Sequence, residues 1–185
     1  NGLPRKNLKT SRPPRPAVSP DFPLPSDLGG ALRSMLARQN IASFEFISTQ
    51  YDHEVQANSA LKPLHGPGRV NALASVIRPV LDSKKGVVLS QGLYPSYSEI
   101  DPYRMAACSI DTAVRNAVSA GGSLKRLALL DNFCWCDSDN PERLWQLREA
   151  AQACYDYAVA YGTPFISGKD SMYNDFRGFD ENFNP

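Results

Sequence analysis

The sequence predicts an α+β fold (α/β-like) in which a mixed sheet carries helices packed on one face. Three observations carry that prediction. Two long stretches, one marked by Met105 to Ser119 and one opening at Asn140-Pro141, place apolar residues at helical spacing. Short apolar runs of strand length, Leu124 to Leu130 and Thr163 to Ser167, come one before and one after the second stretch. Two further runs, Ala72 to Leu81 and Gly86 to Leu89, flank the turn-forming Asp82-Ser83-Lys84-Lys85-Gly86 and predict a hairpin. Helical and strand patterns that alternate in this way belong to mixed folds with helices against a sheet.

Residues 1–25 read as a linker and residues 26–185 as one domain. Pro4, Pro13, Pro14, Pro16, Pro20, Pro23 and Pro25 alternate with Arg5, Lys6, Lys9, Arg12 and Arg15. Proline at this density supports neither a helix nor a central strand, so extended chain is expected. Such a basic segment also suits docking into an aromatic groove, although a plain connector explains it without further assumptions. Ser26-Asp27 caps a predicted helix across Leu28, Leu32, Met35 and Leu36, with Asn40 as its stop. Residues 44 to 64 mix Phe44, Phe46, Ile47 and Tyr51 with Asp52, His53 and Glu54, which predicts a strand with a polar rim. His65-Gly66-Pro67-Gly68 is a turn. In the first long helix Ala106, Ala113, Val114 and Ala117 form the apolar side, and Gly121-Gly122 ends it. In the second, Asn140 is the cap, Pro141 takes the first helical position, and Gly162 with Pro164 stops the helix. Leu144, Leu147, Ala151, Cys154, Tyr155 and Ala158 are its expected buried stripe.

The chain of 185 residues is long enough for a domain with its own core, and 20 Lys plus Arg against 19 Asp plus Glu leave it near neutrality. That balance gives no electrostatic reason to expect a nucleic-acid or membrane-surface partner. No apolar run reaches transmembrane length and no leader pattern is visible, so a cytoplasmic location is expected. Cys134 and Cys136 form a CxC rather than a CxxC, while Cys108 and Cys154 fall in helical apolar patterns and read as structural thiols. The start at Asn1 rather than Met, and the finish at Asn184-Pro185, suggest a piece of a longer chain.

Three polar clusters lie near predicted strand or helix ends, where mixed folds place ligands. Glu99-Ile100-Asp101-Pro102 precedes a helix; Asp101 suits a metal, yet alone it reads as an ordinary acidic helix start. Leu130-Asp131-Asn132-Phe133 follows the apolar run and sets a carboxylate at a strand end, which suits nucleotide or magnesium contact and equally a plain loop. In Ser167-Gly168-Lys169-Asp170-Ser171 the glycine permits close backbone approach, the lysine supplies charge for phosphate, and Asp170 and Ser171 offer metal and hydroxyl contacts. The spacing is not that of a P-loop, and a polar turn explains the cluster as well. With only His53 and His65 present, a Ser-His-Asp triad has little support.

Taken in order, Tyr51-Asp52-His53-Glu54-Val55-Gln56, Asp101-Pro102-Tyr103-Arg104, Leu130-Asp131-Asn132-Phe133 and Gly168-Lys169-Asp170-Ser171-Met172-Tyr173-Asn174 resemble the synthetase subunit of the phosphoribosylformylglycinamidine synthase family, in its second half. The resemblance covers roughly residues 26 to 182. It implies the second N-terminal-type domain of that subunit, in the aminoimidazole ribonucleotide synthetase superfamily, with its last strand missing. Such domains pair so that their strands form a shared barrel. The implied reaction uses ATP to activate the formamide oxygen of formylglycinamide ribonucleotide, after which ammonia from a glutaminase displaces phosphate. ATP and Mg2+ are the implied cofactors. The implied partners are the first half of the same enzyme, the glutaminase and the ribonucleotide; the domain alone is expected to form a homodimer. By position in the motifs, Asp131 and Gly168 are the implied ATP contacts, Ser171 a substrate contact and Asp170 a metal or nucleotide ligand; Lys169 stands where many relatives have a magnesium-binding Asn, and its charge favours contact with the ATP phosphates instead. The family's catalytic histidine lies in a Ser-His-Asn-His-Pro run, and here Gly92-Leu93-Tyr94-Pro95-Ser96 stands in its place. The proton-transferring residue is therefore expected elsewhere, and the isolated chain is expected to be inactive. Leu73-Ala74-Ser75-Val76 and Arg115-Asn116 also depart from the superfamily's acidic positions, which weakens a second metal site. Other ATP-dependent enzymes of the superfamily, such as selenophosphate synthetase or thiamine-phosphate kinase, fit the fold but not the motif set. A non-catalytic scaffold half with a structural nucleotide site is the alternative function.

Overall fold

Proline and glycine set most of the boundaries observed in the computed structural model, which describes residues 6–14, 23–50, 54–176 and 178–181. Two compact units divide the chain. One comprises Asn1–Pro16, Gly92–Ala113 and Ser123–Pro185; the other comprises Ala17–Gln91 and Val114–Gly122.

In the second unit, α1 (Leu28–Leu36) begins where the Asp27 carboxylate accepts from the Gly30 amide at 2.9 Å, the predicted cap. Its apolar positions Leu28, Leu32, Met35 and Leu36 are all exposed. A four-residue helix, α2 (Glu45–Ser48), occupies the place of the expected strand. The Ser43 hydroxyl accepts from the Glu45 amide and the Thr49 hydroxyl donates to the Glu45 carbonyl, so local side-chain bonds close a helical turn here. Tyr51, Asp52 and His53 lie outside the described residues.

The strands β1 (Ser59–Leu61), β4 (Ala74–Ile77) and β5 (Val87–Ser90) form an antiparallel sheet in the order β1-β4-β5. β2 (Leu64–His65) and β3 (Val70–Asn71) form a separate hairpin whose turn uses Gly66 at φ 60°. The predicted β4–β5 hairpin is present, with Ala74 opposite Ser90 and Ile77 opposite Val87.

The first unit is built on two helices and a parallel strand pair. α3 (Pro102–Ser119), whose first part belongs to this unit, starts at Asp101, whose carboxylate accepts from the Arg104 amide at 3.0 Å. Asp101 is therefore a helix cap, as its local sequence suggests. α4 (Pro141–Tyr161) starts where Asn140 Oδ1 accepts from the amides of Glu142 and Arg143, and it ends at Gly162 in the left-handed region. A cap of this kind contributes about 1 kcal/mol.

The buried face of α4 only partly follows the expected stripe: Leu144, Leu147, Cys154 and Ala158 are half-buried, and Cys154 packs on the core. Gln146, Ala150 and Ala153 are buried, with Tyr157 packed beside them, whereas Ala151 and Tyr155 are exposed. Ala150 and Ala153 meet Ala106 and Ala107 of α3 in one cluster, flanked by Phe133, Trp135 and Tyr103. Small side chains let the two helices approach closely, and the aromatic rings fill the margins. The buried Gln146 is satisfied by Arg143, which donates to its Oε1 at 3.0 Å.

β6 (Leu129–Cys134) and β7 (Phe165–Ser171) run parallel, with α4 as their crossover. Both strands reach beyond their expected ends. Leu124–Arg126 forms a single 3-10 turn, and the strand begins at Leu129 and continues through Asp131-Asn132-Phe133. Likewise Gly168 to Ser171 is strand rather than polar turn. Among the described residues the strands thus form three small sheets rather than one.

Candidate functional site

Every site residue expected from the sequence falls on the β6–β7 pair. The register sets Asp131 opposite Gly168, Asn132 opposite Lys169, Phe133 opposite Asp170 and Cys134 opposite Ser171. Side chains alternate along a strand, so this register sorts the candidates onto two faces. Asp131, Gly168 and Asp170 share one face with buried Leu129 and with Phe133, which packs on the α3–α4 cluster. Lys169 and Ser171 belong to the opposite face, with Leu130, Asn132 and Cys134. The sequence motif therefore joins residues that the strand separates.

On the helix-covered face, Gly168 and Asp131 are fitted to each other. A Cβ at residue 168 would overlap Asp131 Oδ1 and crowd the rest of the carboxylate. A side chain at 168 would therefore displace that carboxylate, which glycine leaves in place. Burial pushes the Asp131 carboxyl above its ordinary value, and the charge and hydrogen bonding of the neighbouring Asp170 carboxyl add to the shift. The neighbouring carboxylate disfavours ionisation of Asp131, a cost that a cation bound there would remove. Beneath them, burial and then the charge of Asp131 raise the Cys154 thiol to about 11, which keeps it protonated and unreactive.

Such hard oxygen donors suit Mg2+, which commonly takes one or two protein carboxylates and completes its shell with phosphate and water. Among the described residues no group of three or more His, Cys, Asp or Glu side chains converges into a metal cage. The donor set fits a cation held jointly with a phosphate ligand.

The opposite face is more exposed. Leu130 and Lys169 are exposed, and Cys134 Sγ lies 3.6 Å from Asn132 Oδ1. Beyond β7 the chain stays tied to β6: Trp135 N donates to the Ser171 carbonyl at 2.7 Å, and Asn174 Nδ2 donates to the same carbonyl at 2.6 Å. Sequence reasoning missed Asn132 as a companion of Lys169. The signal was present in the alternation from Leu129 to Cys134, once that stretch is taken as strand.

The segment that stands in place of the family's histidine run is packed into the fold. A Cβ on Gly92 would overlap the Ser109 carbonyl, Tyr94 shares a hydrogen bond with Thr112 at 3.0 Å, and the Tyr94 and Tyr97 rings stack with centroids 5.1 Å apart. No helix among the described residues is long and apolar enough to cross a membrane.

Comparison with known proteins gives a consistent family. Residues 72–180 match the model of AIR synthase related protein, N-terminal domain. The chain is 37% identical over 155 residues to the phosphoribosylformylglycinamidine synthase subunit PurL of Methanothermobacter marburgensis, an alignment covering 84% of this chain and 20% of that one. A PurL subunit from Anaeromyxobacter dehalogenans is 36% identical over 157 residues, covering 85% and 20%. The chain thus spans about a fifth of the length of these curated relatives. Its fold resembles that of PurLQS from Thermotoga maritima, with TM-score 0.60 at 19% identity over 93% of this chain and 25% of that one. T. maritima PurL complexed with ADP is similar to the same degree, TM-score 0.60 at 21% identity over 94% and 25%.

Proposed function

Since this chain belongs to the AIR synthase related protein family through its N-terminal domain, we propose that it supplies part of the nucleotide and substrate site of an ATP-dependent C–N ligase. The overall reaction is the one its relatives' names describe, formation of phosphoribosylformylglycinamidine in purine biosynthesis. The observation that carries the proposal is the fit of Gly168 against the Asp131 carboxylate with Asp170 alongside. It explains why a glycine and two acidic residues from separate strands belong together, which a plain surface turn would not require. Support also comes from the T. maritima PurL structure complexed with ADP, a protein of similar fold.

In this assignment Asp131 and Asp170 would hold Mg2+ delivered with ATP. The bound ion would neutralise charge on the transferring phosphoryl group. Gly168 keeps the backbone low enough for the Asp131 carboxylate to stay in place. Lys169, on the other face, supplies a cation for phosphate, and Ser171 near the end of β7 offers a hydroxyl to the ribonucleotide. A ligand touching both faces has to pass the C-terminal end of the pair, the end where parallel sheets usually bind ligands. The formamide oxygen attacks the γ-phosphorus of ATP, ADP leaves, and ammonia then displaces phosphate from the activated carbon. This chain's 92–96 segment has no histidine for the accompanying proton transfers, so in this assignment these fall to the first half of the enzyme, and the chain alone does not turn over. A glutaminase supplies the ammonia.

The packing of Gly92 and Tyr94 favours a second possibility, a pseudo-symmetric half in which the bound nucleotide is structural. Calorimetric titration of Mg·ATP into the chain, alone and with the first half added, separates the two. The ligase assignment expects binding that appears or tightens in the mixture, together with release of phosphate on turnover. Equal binding without any turnover supports the structural half, and absence of binding in both samples removes the nucleotide site altogether.

A further inference from the structure

The end of the β6–β7 pair is closed by a side chain. Asn174 Nδ2 donates to the Ser171 carbonyl at 2.6 Å and to the Trp135 carbonyl at 3.3 Å, and the Asn174 amide donates to the Trp135 carbonyl at 2.9 Å. The Trp135 amide donates to the same Ser171 carbonyl at 2.7 Å. Both carbonyls therefore accept from Asn174, one on each side of the strand pair. A carboxamide nitrogen carries two hydrogens, which is what serving two carbonyls at once requires.

The two sides of this clamp are not equally anchored. Trp135 is held from elsewhere: its Nε1 donates to the Arg143 carbonyl at 3.0 Å, and its ring packs on the α3–α4 alanines. Ser171 is the last residue of β7, and no strand pairing continues beyond it. The chain returns to Trp135 through Tyr173, which has φ 60°, in the left-handed region where a bulky residue is strained. Such a conformation persists where the surrounding bonds hold it. Here those bonds are the Tyr173 amide to the Cys136 carbonyl at 3.4 Å and the bonds made by Asn174.

We propose that Asn174 is a positioning residue for Ser171. Its side-chain amide ties the Ser171 carbonyl to the fixed Trp135 backbone, and so holds the chain from which the Ser171 hydroxyl meets the ribonucleotide. The inference rests on the assignment of Ser171 made under the proposed function. Asp131 and Gly168 stand three residues back along their strands, so the nucleotide contacts are insensitive to the clamp.

The test is calorimetric titration of formylglycinamide ribonucleotide and, separately, of Mg·ATP into the chain with the first half of the enzyme added. Asn174→Ala removes the side-chain donor, and Asn174→Asp removes it at nearly constant size. Both should weaken the ribonucleotide about fivefold, the scale of one lost hydrogen bond, and leave Mg·ATP unchanged. Ribonucleotide affinity equal to that of the parent in both variants overturns the positioning role. Equal losses for the two ligands also overturn it, since they mean a general loosening of the domain. A loss in Asn174→Ala that is absent in Asn174→Asp does so as well, because packing and not donation would then be at work. A parent protein that binds no ribonucleotide overturns the Ser171 assignment itself, and this inference with it.

Discussion

The two faces of the β6–β7 pair are built from alternate residues of the same short strands, yet different forces fix them. On the covered face, position is set by packing: Leu129 is buried, Phe133 rests on the α3–α4 alanines, and Gly168 leaves room for Asp131 and nothing more. On the open face, Asn132, Cys134 and Lys169 are exposed and Ser171 is only half-buried. The half-buried Asp131, with the exposed Asp170 beside it, suits a small, geometrically demanding cation, whereas the exposed Lys169 suits a looser contact with phosphate. The separation of the candidates onto two faces follows from strand alternation alone.

The largest effect that would sharpen this contrast is expected from Gly168→Ala. The added methyl drives the Asp131 carboxylate from its place, at about 1–3 kcal/mol of local strain. Titration calorimetry should show Mg·ATP affinity reduced about tenfold or more. The same substitution made in an Asp131→Ala background should add little, because the overlap is gone. A full additive loss would break the proposed fit. Next in size is Ala150→Leu, placed where exposure is 0%. It should cost about 1–3 kcal/mol of stability by overpacking the contact between α3 and α4. Thermal unfolding reads this as a drop of several degrees, and an unchanged Tm would mean that the covered face is not packing-limited.

On the open face the effects should be smaller. Lys169→Ala is expected to weaken Mg·ATP binding about fivefold at low salt, since an exposed charge contributes about 1 kcal/mol or less. The deficit should shrink as salt rises, because screening removes the contribution in the parent protein as well. A salt-independent loss as large as that of Gly168→Ala would erase the distinction between the faces.

The smallest effect concerns pH. Asp131 has a folded-state pKa raised above the ordinary value of 3.8. The folded protein therefore binds its proton more tightly than the unfolded chain does. Stability from this group is fully present below 3.8 and is lost as pH rises through the raised folded value. Chemical denaturation across that range should show a slope that Asp131→Asn flattens. An unaltered slope in the variant would assign the perturbation elsewhere.

The punctuation of the fold was legible in the sequence. Asp27, Asn140 with Pro141, and Gly162 are where the caps and stops occur, because each acts through its own backbone or a neighbour within one turn. What was not legible depends on contacts distant in sequence. Phe44 to Ile47 has the apolar content of a strand, yet bonds from Ser43 and Thr49 close a helical turn. The α4 stripe was expected on Leu144, Leu147, Ala151, Cys154, Tyr155 and Ala158; Cys154 does pack on the core, but the fully buried positions are Ala150 and Ala153, whose small size matters only against another helix. The candidates Asp131, Gly168, Lys169, Asp170 and Ser171 do fall on adjacent strands. Their assignment to opposite faces was not legible, because Asp131 and Gly168 to Ser171 read as loop until the register shows them as strand.

The most direct test uses Mn2+ in place of Mg2+, added with ATP, while backbone amide signals are followed by NMR. Paramagnetic broadening is predicted to centre on Asp131, Gly168 and Asp170 and to disappear from these amides in Asp131→Asn. Broadening that centres on another part of the chain, or persists unchanged at Gly168 in that variant, would contradict a cation site built on the covered face.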